Sequence, residues 1–132
     1  MRLPTGLDQA KFDTVCTALR KIVGENWVVT AEDRLSAYDD PYSPGLSSNF
    51  LPSGAISPAN IDELKSILRT ATQYGVPVWS ISIGRNYAYG GAAPCLSGSM
   101  ILDLHRMQAI EANEELAYAF VEPGVTYVTL YK

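Results

Sequence analysis

Apolar side chains at Phe12, Val15, Cys16, Leu19, Ile22 and Val23 recur every three or four positions, which predicts a helix over residues 7–23 with one buried stripe, stopped by Gly24. A second stripe, Ile61, Leu64, Ile67, Leu68 and Ala71, predicts a helix over residues 58–74, with Ser57 as cap, Pro58 at the first position and Gly75 as the stop. The pattern then changes. VPVWSISI, residues 76–83, is a largely apolar run that reads as a strand over 77–83 covered on both faces. Strands are also predicted at 100–103 and 117–122, with Asn113 and Glu114 at the turn of a hairpin, and residues 125–132 read as the opening of a further helix. Between the two long helices, prolines, glycines, serines and asparagines break every period over 37–54, so this stretch reads as a connection. The fold class is α+β, with residues 1–54 as an N-terminal helix and connecting segment and 55–132 as a helix, buried strand and hairpin unit.

Composition narrows the range of functions. The chain has 132 residues, 47% hydrophobic and 18% charged, the profile of an ordered globular chain of one domain at most. A net charge of −4, a sequence pI of about 4.8 and the lack of any Lys/Arg cluster argue against nucleic acid as a partner. Cys16 and Cys95 lie far apart with no CxxC spacing, which suits a reducing compartment. The N-terminal stretch is too polar for a signal peptide, and no window approaches the roughly 18 apolar residues of a membrane span, so a cytoplasmic protein without a membrane partner is expected. Asp39 and Asp40 suggest a metal or acid/base pair, but no histidine or third ligand lies near them, so the pair reads as turn chemistry and no metal site is expected.

The chemistry concentrates in SISIGRNYAYGGAAP, residues 80–94, directly behind the buried strand. Gly84, Gly90 and Gly91 let the backbone approach a ligand closely and turn several N–H groups toward one anion, as a phosphate or pyrophosphate requires. Neither GxxxxGK[ST] nor a helix-opening GxGxxG is present, which excludes the two common nucleotide loops. A glycine-rich hairpin whose tyrosines cover a core edge fits the same spacing, and spacing alone leaves both readings open.

The segment PVWSISIGRNYAYGGAAPCLSGSMILDLHRM resembles the flavin-binding loop of the vanillyl-alcohol oxidase and para-cresol methylhydroxylase group of flavoproteins. The motif runs S-I-G-R-N at 82–86, Y-G-G-A-A-P at 89–94, S-G-S at 97–99 and L-D-L at 102–104, followed by E-P-G-V-T-Y at 122–127. The likeness covers residues 55–132 and implies the N-terminal part of a PCMH-type FAD-binding domain, incomplete at its C-terminus. It implies FAD as cofactor. Ser82, Ile83, Gly84, Arg85, Asn86, Gly90, Gly91 and Ala92 would cradle the pyrophosphate, largely through backbone N–H groups. Arg85 would lie near the diphosphate or pair with a carboxylate such as Asp103, and Asn86 would fix the loop. Glu122, Pro123 and Gly124 would form a second turn beside the cofactor.

The resemblance further implies oxidation of para-substituted phenols, with Tyr89 holding the phenolic oxygen as phenolate so that hydride leaves the benzylic carbon for flavin N5 and a quinone methide results. Tyr87 is expected to pack rather than touch substrate. His105, the single histidine, follows a strand end and reads as a turn or surface residue rather than a base or flavin attachment point. Enzymes of this group are much longer, so the chain is expected to be the N-terminal portion of such an enzyme, inactive alone, with a homo-oligomer or a cytochrome partner in the full-length protein. Two alternatives stand beside it: a catalytically silent fragment acting as an interaction or relic module, and a related FAD enzyme acting on a hydroxy acid.

Overall fold

A computed structural model describes residues 1–39, 47–84 and 91–131. Helix α1 spans Gln9–Val23, started by Asp8, whose side chain accepts from Lys11 N, and it buries Phe12, Val15, Cys16, Leu19 and Val23 along the predicted stripe. A strand β1, Val28–Val29, and a short helix α2, Glu32–Leu35, follow; a single 3₁₀ turn, Ser36–Tyr38, continues α2. Then come β2 at Gly54–Ile56, α3 at Ile61–Tyr74, β3 at Val78–Ile81, β4 at Met100–Asp103, β5 at Ile110–Asn113, β6 at Tyr118–Val121 and α4 at Tyr127–Tyr131.

The second predicted helix starts three residues later than its stripe suggests. Ser57 is not its cap: Ser57 N donates to Trp27 O and extends the sheet, so Asn60 caps instead, its Oδ1 accepting from both Asp62 N and Glu63 N. Gly75 ends the helix in the left-handed conformation, φ 69°. Ile67 and Ala71 are buried, whereas Ile61 and Leu68 of the same stripe are exposed.

Four strands form one sheet in the order β1-β2-β4-β3, with β1 antiparallel to β2 and the other pairs parallel. β1 and β2 were not predicted; two and three residues are too few to show a period. The strand expected to be covered on both faces, β3, is the edge of this sheet, with Ser80 exposed and Val78 and Trp79 half-buried, because among the described residues it pairs only with β4. The strands buried at every residue are the two central ones, β2 and β4.

Side chains alternate across the sheet. Ile56, Met100 and Leu102 face α1 and α3 and join Phe12, Val15, Leu19 and Ile67 in the main core. Ala55, Ile81 and Ile101 face the other way and pack with Leu35 and Ala92, flanked by Tyr38 and Trp79. The predicted hairpin forms, β5 against β6 with Ile110 opposite Val121 and Asn113 opposite Tyr118, and Asn113 Oδ1 accepts from Leu116 N in its turn. It forms a separate two-stranded sheet, with Phe120, Val121 and Leu116 exposed. Among the described residues no helix is long and apolar enough to cross a membrane.

Candidate functional site

Two parallel strands, β3 and β4, end at the same edge of the sheet, with Ile81 in register opposite Asp103. The carboxyl edge of a parallel sheet is where α/β proteins commonly place ligands. The glycine-rich loop leaves from that edge. Ser82 is half-buried, Ile83 is exposed, and Gly84 sits at φ 70°, in the left-handed region. A Cβ on Gly84 would stand 3.0 Å from the Cβ of Ala92, so the two arms of the loop come close here and a side chain would require the neighbour to give by a few tenths of an ångström. Among the described residues, the N–H groups of Ile83 and Gly84 have no acceptor. Backbone donors that no described residue accepts, on a bend that passes through glycine, are what a pyrophosphate cradle needs, so these residues fit the flavin diphosphate. Gly91 is half-buried and Ala92 buried; Arg85, Asn86, Tyr87, Tyr89 and Gly90 lie outside the described residues, as does Asp40.

The second expected cofactor turn, Glu122, Pro123 and Gly124, packs on the chain just past β4. Gly124 N donates to Met107 O at 2.8 Å, and a Cβ on Gly124 would fall 2.5 Å from His105 O and 2.7 Å from Met107 O. Only glycine permits this approach. Glu122 uses its side chain on the protein itself: Oε2 accepts from Ala109 N at 2.7 Å. Both candidate turns are therefore anchored to the C-terminal end of β4, the first through Leu104 N donating to Ile81 O, the second through His105 and Met107.

Around that strand end lies a polar cluster that the sequence did not announce. Asp103, 7% exposed, accepts on Oδ2 from the Tyr38 hydroxyl at 2.9 Å and on Oδ1 from His105 N at 3.0 Å, and its Oδ1 lies 2.8 Å from His105 Nδ1. Burial pushes the Tyr38 phenol well above the usual tyrosine range, and the neighbouring Asp103 carboxylate pushes the same way, so Tyr38 stays a neutral donor. His105 is indeed a turn residue, tilted against Trp27 with ring centroids 6.1 Å apart. Arg106 stacks 3.8 Å from the Trp27 ring centroid and donates to Ser57 O at 2.7 Å. The sequence signal for part of this was an aspartate closing a strand two residues before a histidine; Tyr38, 65 residues away, gave none.

Residues 52–132 match the FAD binding domain family, and the chain belongs to it. FAD is thus the cofactor this fold serves. Among curated relatives, the chain is 34% identical to the 4-cresol dehydrogenase [hydroxylating] flavoprotein subunit of Pseudomonas putida, over 98% of this chain and 25% of that protein. It is 36% identical to a glycolate oxidase subunit of Bacillus subtilis, over 57% of this chain and 16% of the relative. Among solved structures it superposes on p-cresol methylhydroxylase with substrate bound (TM-score 0.93, 34% identity) and on the 4-ethylphenol oxidase of Gulosibacter chungangensis in its isoeugenol complex (TM-score 0.90, 40% identity), each over 98% of this chain and 25% of the other. The chain spans about a quarter of the length of the 4-cresol dehydrogenase subunit and of both these structures.

Proposed function

We propose that this chain is the N-terminal portion of an FAD-dependent oxidoreductase that oxidises para-substituted phenols. The observation that carries the reading is 40% identity to a 4-ethylphenol oxidase over nearly the whole chain, together with a loop that leaves the sheet's carboxyl edge with the N–H groups of Ile83 and Gly84 accepted by none of the described residues. Ser82, Ile83, Gly84, Gly91 and Ala92, with Arg85, Asn86 and Gly90 between them, would hold the diphosphate, and the Glu122–Pro123–Gly124 turn would lie alongside. The bound flavin supplies a two-electron acceptor for hydride. In this chain Tyr89 is assigned to the phenolic oxygen: a hydroxyl donor there stabilises the phenolate, and the charge it places on the ring makes the benzylic C–H easier to break. The Pseudomonas relative is by name one subunit of an enzyme, which supports a partner subunit for this protein too, a cytochrome being the partner its group implies.

A second reading, oxidation of a hydroxy acid, draws on the glycolate oxidase relative, which covers a smaller share of the chain. The two separate in one experiment. The protein carrying this chain, loaded with FAD, is mixed without oxygen with 4-ethylphenol or with glycolate, and the flavin absorbance is followed. Bleaching by the phenol and not by glycolate is expected; the opposite result assigns the site to hydroxy acids.

A further inference from the structure

We propose that Asp103 is a positioning residue that holds the two FAD-contacting turns in register with each other through the Tyr38–Asp103–His105 cluster; the proposal rests on the FAD reading above. Three facts support it. Asp103 is the last residue of β4 and lies opposite Ile81, the last residue of β3, so it sits beside the point where the first turn departs. Its Oδ1 takes the amide of His105 and faces the ring nitrogen of the same residue, fixing the backbone whose carbonyl forms the floor under Gly124 in the second turn. Its Oδ2 takes the Tyr38 hydroxyl, which fastens the 3₁₀ turn Ser36–Tyr38 over the sheet face that also receives Ala92 from the loop's returning arm.

A buried carboxylate with three polar neighbours from two distant stretches of chain has little freedom to move. Two turns that must approach one ligand from separate loops gain accuracy from such an anchor, because each depends on the same rigid strand end. An aspartate that only satisfied itself in the core would affect stability and leave cofactor affinity alone. The two roles make different predictions.

The test uses the full-length protein carrying this chain, as apoprotein and loaded with FAD. Asp103→Asn keeps the shape but replaces one of the two acceptors with an NH₂ group, so the Tyr38 hydroxyl and the His105 N–H cannot both keep their acceptor. Tyr38→Phe removes one donor and keeps the ring. Ile67→Val, in α3 on the opposite face, serves as a control that lowers stability without touching the cluster. Apoprotein melting, the FAD dissociation constant and the visible circular dichroism of bound flavin are measured for each. Outer partners that orient ligand-binding groups typically affect affinity by about 10- to 100-fold. Asp103→Asn is expected to weaken FAD binding on that scale, roughly tenfold or more, and to alter the flavin dichroism, with Tyr38→Phe shifting both in the same direction and Ile67→Val moving only the melting temperature. If Asp103→Asn does not fold, the Tyr38→Phe result decides. FAD affinity and dichroism unchanged from the parent in the folded variants overturn the proposal alone; a parent protein that takes up no FAD overturns the FAD reading and the proposal with it.

Discussion

Gly84 and Gly75 have nearly the same positive φ, 70° and 69°, yet only one belongs to the candidate site. Replacing each by alanine therefore separates backbone strain from crowding and from ligand contact. The left-handed conformation costs a non-glycine residue about 1–2 kcal/mol, a term common to both variants. At Gly75 nothing lies within 4 Å of the added methyl group, so that term is the whole effect. At Gly84 the methyl rests in ordinary contact with the Ile81 Cδ1 at 3.5 Å but meets the Ala92 Cβ at 3.0 Å, inside the 3.5–4.0 Å at which carbon atoms rest against one another. Ala92 is buried with Ile81 and Ile101, so a displacement of a few tenths of an ångström is shared between it and the bend, at a further cost of about 1–3 kcal/mol. A shifted bend misplaces the N–H groups of Ile83 and Gly84. Losing one hydrogen bond to a charged phosphate is worth about 1.5–3 kcal/mol, a tenfold to hundredfold fall in FAD affinity. Urea unfolding of the apoproteins reads the first pair of terms and FAD titration the last. Equal FAD affinity in the two variants would show that residues 82–84 do not cradle the cofactor, and equal unfolding midpoints would remove the crowding argument.

Three further outcomes are expected. Tyr89→Phe in the FAD-loaded protein should keep its flavin but slow reduction by a para-alkylphenol about ten- to a thousandfold, from a lost hydrogen bond to developing charge of roughly 1.5–4 kcal/mol; stopped-flow absorbance checks this, and an unchanged rate returns Tyr89 to packing. Burial raises the Cys16 thiol to about 11 from an ordinary 9.0, so in the native chain a thiol reagent should label the exposed Cys95 and spare Cys16 until denaturant is added. Because the folded state holds that proton more tightly, the Cys16 contribution to stability is complete below pH 9 and lost as pH rises from 9 toward 11, which unfolding midpoints across that range will register. Expressed alone, the 132 residues should bind an apolar dye and self-associate through the exposed Leu116, Phe120, Tyr127, Val128 and Leu130, and a monomer that melts cooperatively without binding dye would contradict this.

Helices α1 and α3 were legible because each has a long amphipathic stripe, whereas the four residues of α2 are too few to show one. The short strands were not: β1 and β2 draw their stability from partners far along the chain, and Gly54–Ile56 read alone is indistinguishable from the loop before it. The cap at Asn60 was missed because Ser57, an equally good capping residue, is drawn into the sheet by Trp27. For the site, the glycines and their position behind β3 were readable from local spacing. The cluster at Asp103 was not, since a hydrogen bond spanning 65 residues leaves no periodic trace in either segment.

The strand order carries a consequence for how the chain reaches this state. β4 lies between β2 and β3 although it follows both, so on a growing polypeptide β3 has no partner in this sheet, and β2 has only β1, until Met100–Asp103 has emerged. The zipping of β4 into the gap completes the sheet and, in the same event, closes residues 82–99 into a ring. A ring closed this way is thermodynamically forgiving of length, since doubling it costs only about 0.6 kcal/mol in chain entropy. Evolution or design can thus extend the ligand loop between its two fixed ends while the sheet that closes it still assembles, and a nascent chain halted before Met100 should remain unfolded and exposed to proteolysis.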